Sequence, residues 1–492
     1  MTLVLTDKRR QSYWPLVLIC LSQFVLLAAL ASGSHVRLAA GFVVLCAASS
    51  FIANVVVPWP QLIGGLILVI LFIPIRRYTL PGNLPFELEP YRVVVGLLVL
   101  GWIASILVDQ RTKLRATGFE GPLVLIVASL IASVAVNPGH VAASSTEVAK
   151  SLTFFLSFVL LLYLIVSTVR RLEEVEQLVK ILVVGGGILA LFAILEARTG
   201  INVFNHLSRV LPFLYDLGDV GGFERVGTTK LRVFASAQHP IALSAALVVL
   251  IPLAVYLARR YSQRRWLACA VLLAAACFST VSRTGILMLA VVALVFLWLR
   301  FHEMRRLWPA LLPGLVAIHF ILPGTLGAIK HSFNPAGGLL TEQRQAEGSG
   351  SGRLADLGPA LHVWTQEPLL GQGFGTVLIV RNDVQEGPQT NILDDQWLGT
   401  LLATGVLGFA GWMWLFVSVI RRFGRAAKLD RSERGWLLTC LTAGIAAYGV
   451  GMLTYDAFSF IQVTFLFFIL LGLGSVLLAQ KSPAPAEGYP NG

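Results

Sequence analysis

Residues 459–479 read SFIQVTFLFFILLGLGSVLLA, without one charged side chain. At about 1.5 Å of rise per residue, a helix of this length covers the ~30 Å hydrocarbon core of a bilayer. Lipid supplies no hydrogen bonds, so a spanning segment of this kind pairs its own backbone groups as a helix. Similar apolar windows recur upstream, near 14–32, 37–57, 59–75, 91–108, 120–136, 150–168, 178–197, 239–257, 265–280, 284–300, 307–323, 393–420 and 435–453. The sequence thus predicts an all-α polytopic integral membrane protein of about 12–14 transmembrane helices, fourteen by this placement, in one membrane domain over 1–480.

Composition agrees. Hydrophobic residues make up 56% of the chain and charged residues 13%, too apolar for a soluble protein of 492 residues. The net charge of +12 does not point to nucleic acid, because the basic residues gather in short loops. Cys20, Cys46, Cys269, Cys277 and Cys440 all fall in apolar windows, which predicts neither a disulfide framework nor a cysteine metal site. Lys8-Arg9-Arg10 and the apolar run to Leu30 resemble a secretory signal, and Ala29 to Ser32 resembles a cleavage site. Further spans come at once, so an uncleaved first span is expected.

Basic loops set the expected orientation. Arg111, Lys113 and Arg115, then Arg170, Arg171 and Lys180, Arg259 to Arg265, Arg300 to Arg306, and Arg421 to Arg434 all fall on the side of the N-terminus, read as cytoplasmic. Two long loops, 198–238 and 324–392, then face outward, the second between the eleventh and twelfth predicted spans. Arg76, Arg77 and Arg92 break the rule by landing outside; either the early spans are miscounted or this loop packs against protein. The tail 481–492 is rich in Pro and Gly and is expected to be disordered and cytoplasmic.

The outward side holds the candidate chemistry. Arg232 precedes Ala235-Ser-Ala-Gln238-His239-Pro240 at the start of a span. Arg283 lies in the tight turn Ser282-Arg283-Thr-Gly285, and Arg353 comes directly after Gly350-Ser-Gly. Charge at a membrane boundary is costly and marks function, although each arginine could instead snorkel to headgroups. Residues 351–366 read as a short amphipathic helix with Leu354, Leu357, Leu361 and Trp364 on one face and Ser351 as N-cap. Its N-terminus, beside Arg353, would suit an anion. Gly371-Gln-Gly373-Phe-Gly375 mimics a nucleotide loop, but no strand precedes it, so a turn folding back over the membrane is expected. Asp394 and Asp395 are neighbours and would point about 100° apart on a helix, one toward a site and one as a cap, or both as caps. No metal site is expected, since neither a His nor a third acid sits at ligand spacing. His239 and His362 are lone histidines, for which a structural or solvated role is the default.

Four segments together resemble the O-antigen ligase and O-antigen polymerase superfamily of bacterial envelope proteins. They are Arg232–Pro240 (RVFASAQHP), Phe278–Gly285 (FSTVSRTG), Gly352-Arg353 with Pro368–Gly375 (PLLGQGFG), and Asp394–Gly408 (DDQWLGTLLATGVLG). The ligases carry His-Asn where Asp394-Asp395 stands here, a departure that favours polymerase-like relatives. The resemblance implies a glycosyltransferase of the bacterial cytoplasmic membrane that needs no cofactor. Its donor would be a polyprenyl-diphosphate-linked glycan and its acceptor a glycan or lipid, with flippase and chain-length regulator proteins as further partners. It implies Arg232, Arg353 and Arg283 on the diphosphate, Asp394 with Asp395 as the catalytic carboxylates, and His239 and Gln238 as substrate contacts. Ligation to a lipid or protein acceptor stays open, as do a transporter of the same lipid and a non-catalytic assembly partner.

Overall fold

A computed structural model describes residues 57–81, 88–108, 112–218, 223–224, 231–321, 357–376 and 394–480; the side chains of 108, 223, 224, 231, 306–321 and 359 are outside that description. The helices of eight residues or more are α1 (Trp59–Phe72), α2 (Pro90–Val108), α3 (Glu120–Val136), α4 (Ser145–Thr168), α5 (Leu172–Thr199), α6 (Pro240–Tyr261) and α7 (Arg264–Ser279). They continue as α8 (Arg283–Ile321), α9 (Leu357–Trp364), α10 (Gln396–Leu429), α11 (Glu433–Gly451) and α12 (Ile461–Ala479). Among the described residues seven helices are long and apolar enough to cross a membrane, and α1 and α3 are shorter apolar helices. The protein is thus mostly helical, as expected of an all-α membrane protein. The expected spans at 14–32 and 37–57, most of the loop 324–392 and the tail 481–492 lie outside the described residues.

The uncharged run near the C-terminus forms the axis of the bundle. Every residue of α12 from Ile461 to Leu477 is buried, as befits a helix apolar on all sides. Two of its hydroxyls bond backbone carbonyls: Thr464 Oγ1 donates to Ala457 O at 2.6 Å, and Ser475 Oγ to Leu471 O at 2.8 Å. Glycine allows close neighbours. A Cβ on Gly474 would stand 2.1 Å from the Phe423 ring of α10, so only the bare backbone fits.

Hydrogen bonds sort the helix ends into two groups. At one end Gln480 reaches Arg170 O, Arg434 reaches Leu477 O, Arg260 reaches Glu176 and Arg422 reaches Gly118 O. This basic end gathers the arginine-rich loops. α8 breaks here at Arg300 (φ −137°, ψ 43°), between the two windows expected at 284–300 and 307–323. At the other end Gln462 reaches Ile70 O, Glu196 holds residues 234–235, and Gln396 binds Met452 O. All the described motif segments meet at this second, motif end.

The anomalous arginines resolve here. The loop after α1 packs against protein: Tyr78–Thr79 pairs antiparallel with Tyr215–Asp216. Arg77 is buried and bonds Asn205 O and the Asp216 carboxylate, each at 3.3 Å. Tyr78 Oη donates to Phe204 O at 2.8 Å. Arg92 pairs with Glu89 at 3.6 Å and lies over the Phe154 ring.

Candidate active site at the motif end

The segment before α6 is held from three sides. Ala235 takes a left-handed φ of 46°, a conformation costing about 1–3 kcal/mol for a residue with a side chain. The Glu196 carboxylate accepts from Phe234 N (3.3 Å) and Ala235 N (2.8 Å), while Asn202 Nδ2 donates to Ala235 O at 2.9 Å. Ser236 Oγ donates to Leu71 O, and Gln462 Nε2 reaches Ser236 Oγ at 3.3 Å. His239 caps α6: its Nδ1 accepts from Ile241 N at 3.2 Å, so that nitrogen is unprotonated. Its ring stacks on Phe460 at 5.7 Å and 11°. Of the two residues expected to touch substrate, His239 therefore has a capping role. Gln238 is different, because both polar atoms of its amide are buried with no hydrogen-bond partner among the described residues.

Arg232 Nε donates to Thr280 O at 3.2 Å, which ties this segment to the Ser-Arg turn. That turn is also strained, with Val281 at φ 50°. Ser282 Oγ accepts from Gly285 N at 3.4 Å. A Cβ at Gly285 would meet Ser244 Cβ at 2.9 Å, so α8 begins flush against α6. Arg283 is the first residue of α8 and is half-buried. Two of the three expected diphosphate ligands, Arg232 and Arg283, thus border one turn; Arg353 lies outside the described residues.

Asp395 is the N-cap of α10, its carboxylate accepting from Leu398 N at 3.1 Å. Asp394 precedes it, half-buried. Gln396 then fastens the α11–α12 connection: its N–H donates to Met452 O (2.8 Å), and its Oε1 accepts from Phe458 N (2.8 Å). Asp456 stands in that connection, accepting from Ser459 N at 3.2 Å and from Ser459 Oγ at 2.5 Å. Burial pushes its carboxyl above the usual range, while Ser459 and the Arg76 charge pull it down.

The glycine loop proves to be a clasp on a broken helix. α10 is interrupted at Gly405 (φ 63°, ψ −165°), which frees backbone groups on both sides. Residues 368–373 take them up: Gln372 N donates to Leu402 O (2.9 Å), Gly373 N to Ala403 O (3.2 Å), and Val406 N to Pro368 O (2.9 Å). Asn137 Nδ2 donates to Gly371 O at 2.7 Å, and Ser133 Oγ to Ala403 O at 2.6 Å. Gly371, Gly373 and Gly375 all have positive φ. A Cβ on Gly371 would lie 2.2 Å from Leu402 O, and one on Gly405 2.2 Å from the Leu369 carbonyl. α9, which falls within the expected 351–366, sits beside this break: Ala360 packs with Leu398 and Leu402, while Leu357 and Leu361 stay exposed. Residues 351–356, with the expected cap Ser351, lie outside the described residues.

Sequence reading missed Glu196 and Asn202, which hold the segment that follows Arg232. An acid in the last turn of an apolar helix was the one available signal for Glu196.

Taken together, the helices and the polar motif end define a multi-pass membrane protein with its polar chemistry concentrated at one end. Residues 268–413 match the family model described as O-Antigen ligase. The match takes in the Ser-Arg turn, the clasp and Asp394–Gly408, and it supports an O-antigen ligase/polymerase-like family, with glycosyl-transferring activity of that type in polysaccharide synthesis. Arg232, Arg76 and Asp456 lie outside the matched residues. No curated protein matches the chain.

Proposed function

We propose that the protein polymerises or transfers polyprenyl-diphosphate-linked oligosaccharide at the outer face of the bacterial inner membrane. The observation that carries this reading is the convergence of Arg232, the Arg283 turn and Asp394–Asp395 on one end of the bundle, two of these segments lying in the matched region. The opposite end holds most of the arginine-rich loops, so the positive-inside rule favours the motif end as outward. Both chain termini are then cytoplasmic.

In the proposed reaction an acceptor hydroxyl oxygen attacks the anomeric carbon from the side opposite the diphosphate. The carbon–oxygen bond to phosphate breaks and its electron pair leaves on the diphosphate. The hydroxyl proton passes to Asp394, and the configuration inverts. Arg232, Arg283 and Arg353 neutralise the growing charge on the leaving group by guanidinium–phosphate hydrogen bonds. Asp395, engaged as a cap, orients the start of α10 and its neighbour Asp394.

A transporter also uses interrupted helices, whose unwound carbonyls coordinate ions. Here Leu402 O and Ala403 O are already occupied by Gln372 N, Gly373 N and Ser133 Oγ, which favours the enzyme. The family's description as O-antigen ligase favours, as a second reading, transfer to a different acceptor molecule.

The test is reconstitution of purified protein with lipid-linked oligosaccharide from its host, in chelator. A ladder of repeat units is expected. A single transfer to another molecule means ligation, and lipid movement across proteoliposomes without any new glycosidic bond overturns the enzyme.

A further inference from the structure

At the basic end, some cations do not serve the fold. α8 and α10 both pack along the buried helix α11 and touch each other far less. Where they do meet, the Trp298 ring lies over Gly424, so close that a Cβ there would stand 3.0 Å from it. Trp298 is nonetheless 50% exposed, and Lys428 Nζ stands 4.5 Å over its ring. Leu294, one turn earlier on α8, is exposed as well.

Lys428 ends a row. Trp414 and Val417 are exposed on α10, and the same helix face continues as exposed Arg421, Arg425 and Lys428, at spacings of three and four. The row turns from apolar to cationic in the last turns of the span, with about 10 Å of helix between Arg421 and Lys428. An exposed apolar side chain on a spanning helix faces lipid tails, and a cation at the end of the span faces headgroups. Arg422, Arg434 and Arg300 beside this row all bond backbone carbonyls. Arg421, Arg425 and Lys428 pair with no carboxylate among the described residues. The acids of this corner are committed elsewhere, Asp430 to Arg434 at 2.9 Å, Glu433 to Arg259 at 3.0 Å and Glu303 to Arg259 at 3.9 Å.

We propose that Arg421, Arg425 and Lys428, with the Trp298 ring, form a headgroup site for an anionic phospholipid on the lipid-facing side of the α8–α10 contact. The ligand must be an amphiphile. Its phosphate meets the cations, and its acyl chains run along the exposed apolar residues that precede them on both helices. A soluble anion would leave those apolar residues without a role. The lipid bridges α8 and α10, the two helices whose other ends carry Arg283 and Asp395.

The site is independent of the transferase reading, and its test needs no activity. Native mass spectrometry of the delipidated protein in detergent, titrated with phosphatidylglycerol or phosphatidylcholine, reads the Kd of the first lipid bound. Wild type should hold phosphatidylglycerol at least about tenfold more tightly than phosphatidylcholine. Arg421→Gln with Arg425→Gln should raise the phosphatidylglycerol Kd about tenfold or more, and Lys428→Gln alone about fivefold. The phosphatidylcholine Kd and the melting temperature in detergent should not change, since all three side chains are exposed. Arg264→Gln with Arg265→Gln is the matched control. Both cations are exposed at the same end, and Arg265 likewise lies over an indole, that of buried Trp266. This pair should stay within about twofold of wild type. Equal losses in the two double variants, or no preference for phosphatidylglycerol in wild type, make the row a diffuse charge and overturn the site. A loss of polyprenyl diphosphate binding instead of phosphatidylglycerol binding assigns the row to the substrate lipid and overturns it too.

Discussion

The two ends of the bundle use arginine in opposite ways. At the basic end arginines complete the fold. Arg300 sits in the break of α8 and donates to Ala427 O (2.8 Å), Asp430 O (2.9 Å) and Thr439 Oγ1 (3.2 Å), closing the α10–α11 corner. Arg434 joins Asp430 to Leu477 O, and Arg259 joins Glu433. At the motif end Arg77 does similar work, but Arg76 points away from the packed protein, and Arg232 and Arg283 flank a strained turn. Among the described residues, three of the four non-glycine residues with positive φ, namely Arg76, Ala235 and Val281, lie at the motif end; the fourth, Ser262, is an ordinary helix C-cap. Strain concentrated beside cations, and held there by neighbours such as Glu196, is the pattern of a preorganised site. The basic end has the pattern of a brace.

The largest expected effect separates these roles. Arg232→Ala and Asp394→Ala should each lower turnover at least ~100-fold while the protein still reaches the membrane in normal amount. Arg300→Ala should do the reverse. It strands two buried carbonyls at about 1–3 kcal/mol each, so folded yield falls while turnover per folded molecule holds. Equal turnover loss in both would erase the distinction between the ends.

Next come the clasp glycines. Gly405→Ala and Gly371→Ala force a Cβ into backbone at 2.2 Å in a left-handed conformation, a cost of roughly 2–5 kcal/mol. Both should fail in detergent melting assays, with activity lost only through unfolding. Gly65→Ala, with nothing within 4 Å of the added Cβ, is the matched control.

Glu196→Gln keeps the shape but weakens its bonds to Phe234 N and Ala235 N, about 1–3 kcal/mol. Turnover should fall further than stability, because the segment it holds carries Arg232. Proportional losses would make Glu196 a brace like those at the other end.

The smallest effect is a pH dependence at the basic end. Burial pushes the Asp430 carboxyl up, but Ser432 and then Arg434 outweigh it and hold the group below its ordinary value. A depressed carboxylate contributes stability that is present above the unfolded value of about 3.9 and is lost as pH falls through the lower folded value. Melting temperature should therefore drop more steeply below about pH 4 in wild type than in Asp430→Asn.

Much of this fold is written locally. α12 announces itself by an uninterrupted apolar run, and α3, α5 and α6 coincide with windows expected at 120–136, 178–197 and 239–257. The four motif segments were also legible, since each couples Gly, Ser or Pro to a charge. What escaped is non-local. Nothing in the sequence around Gly405 says that residues 368–373 will replace its broken hydrogen bonds, so PLLGQGFG reads as a turn and acts as a clasp. Gln462 and Ile70 are 392 positions apart in the chain and are hydrogen-bonded only because α1 and α12 share an end.

The most direct test is single-turnover transfer from host polyprenyl-diphosphate-linked oligosaccharide by wild type, Arg232→Ala and Arg300→Ala, each normalised to folded protein. Transfer by wild type and Arg300→Ala at similar rates, with Arg232→Ala reduced at least ~100-fold, is the predicted result. Full activity in Arg232→Ala, or no sugar transfer by wild type, would contradict a glycan-transfer site at the motif end.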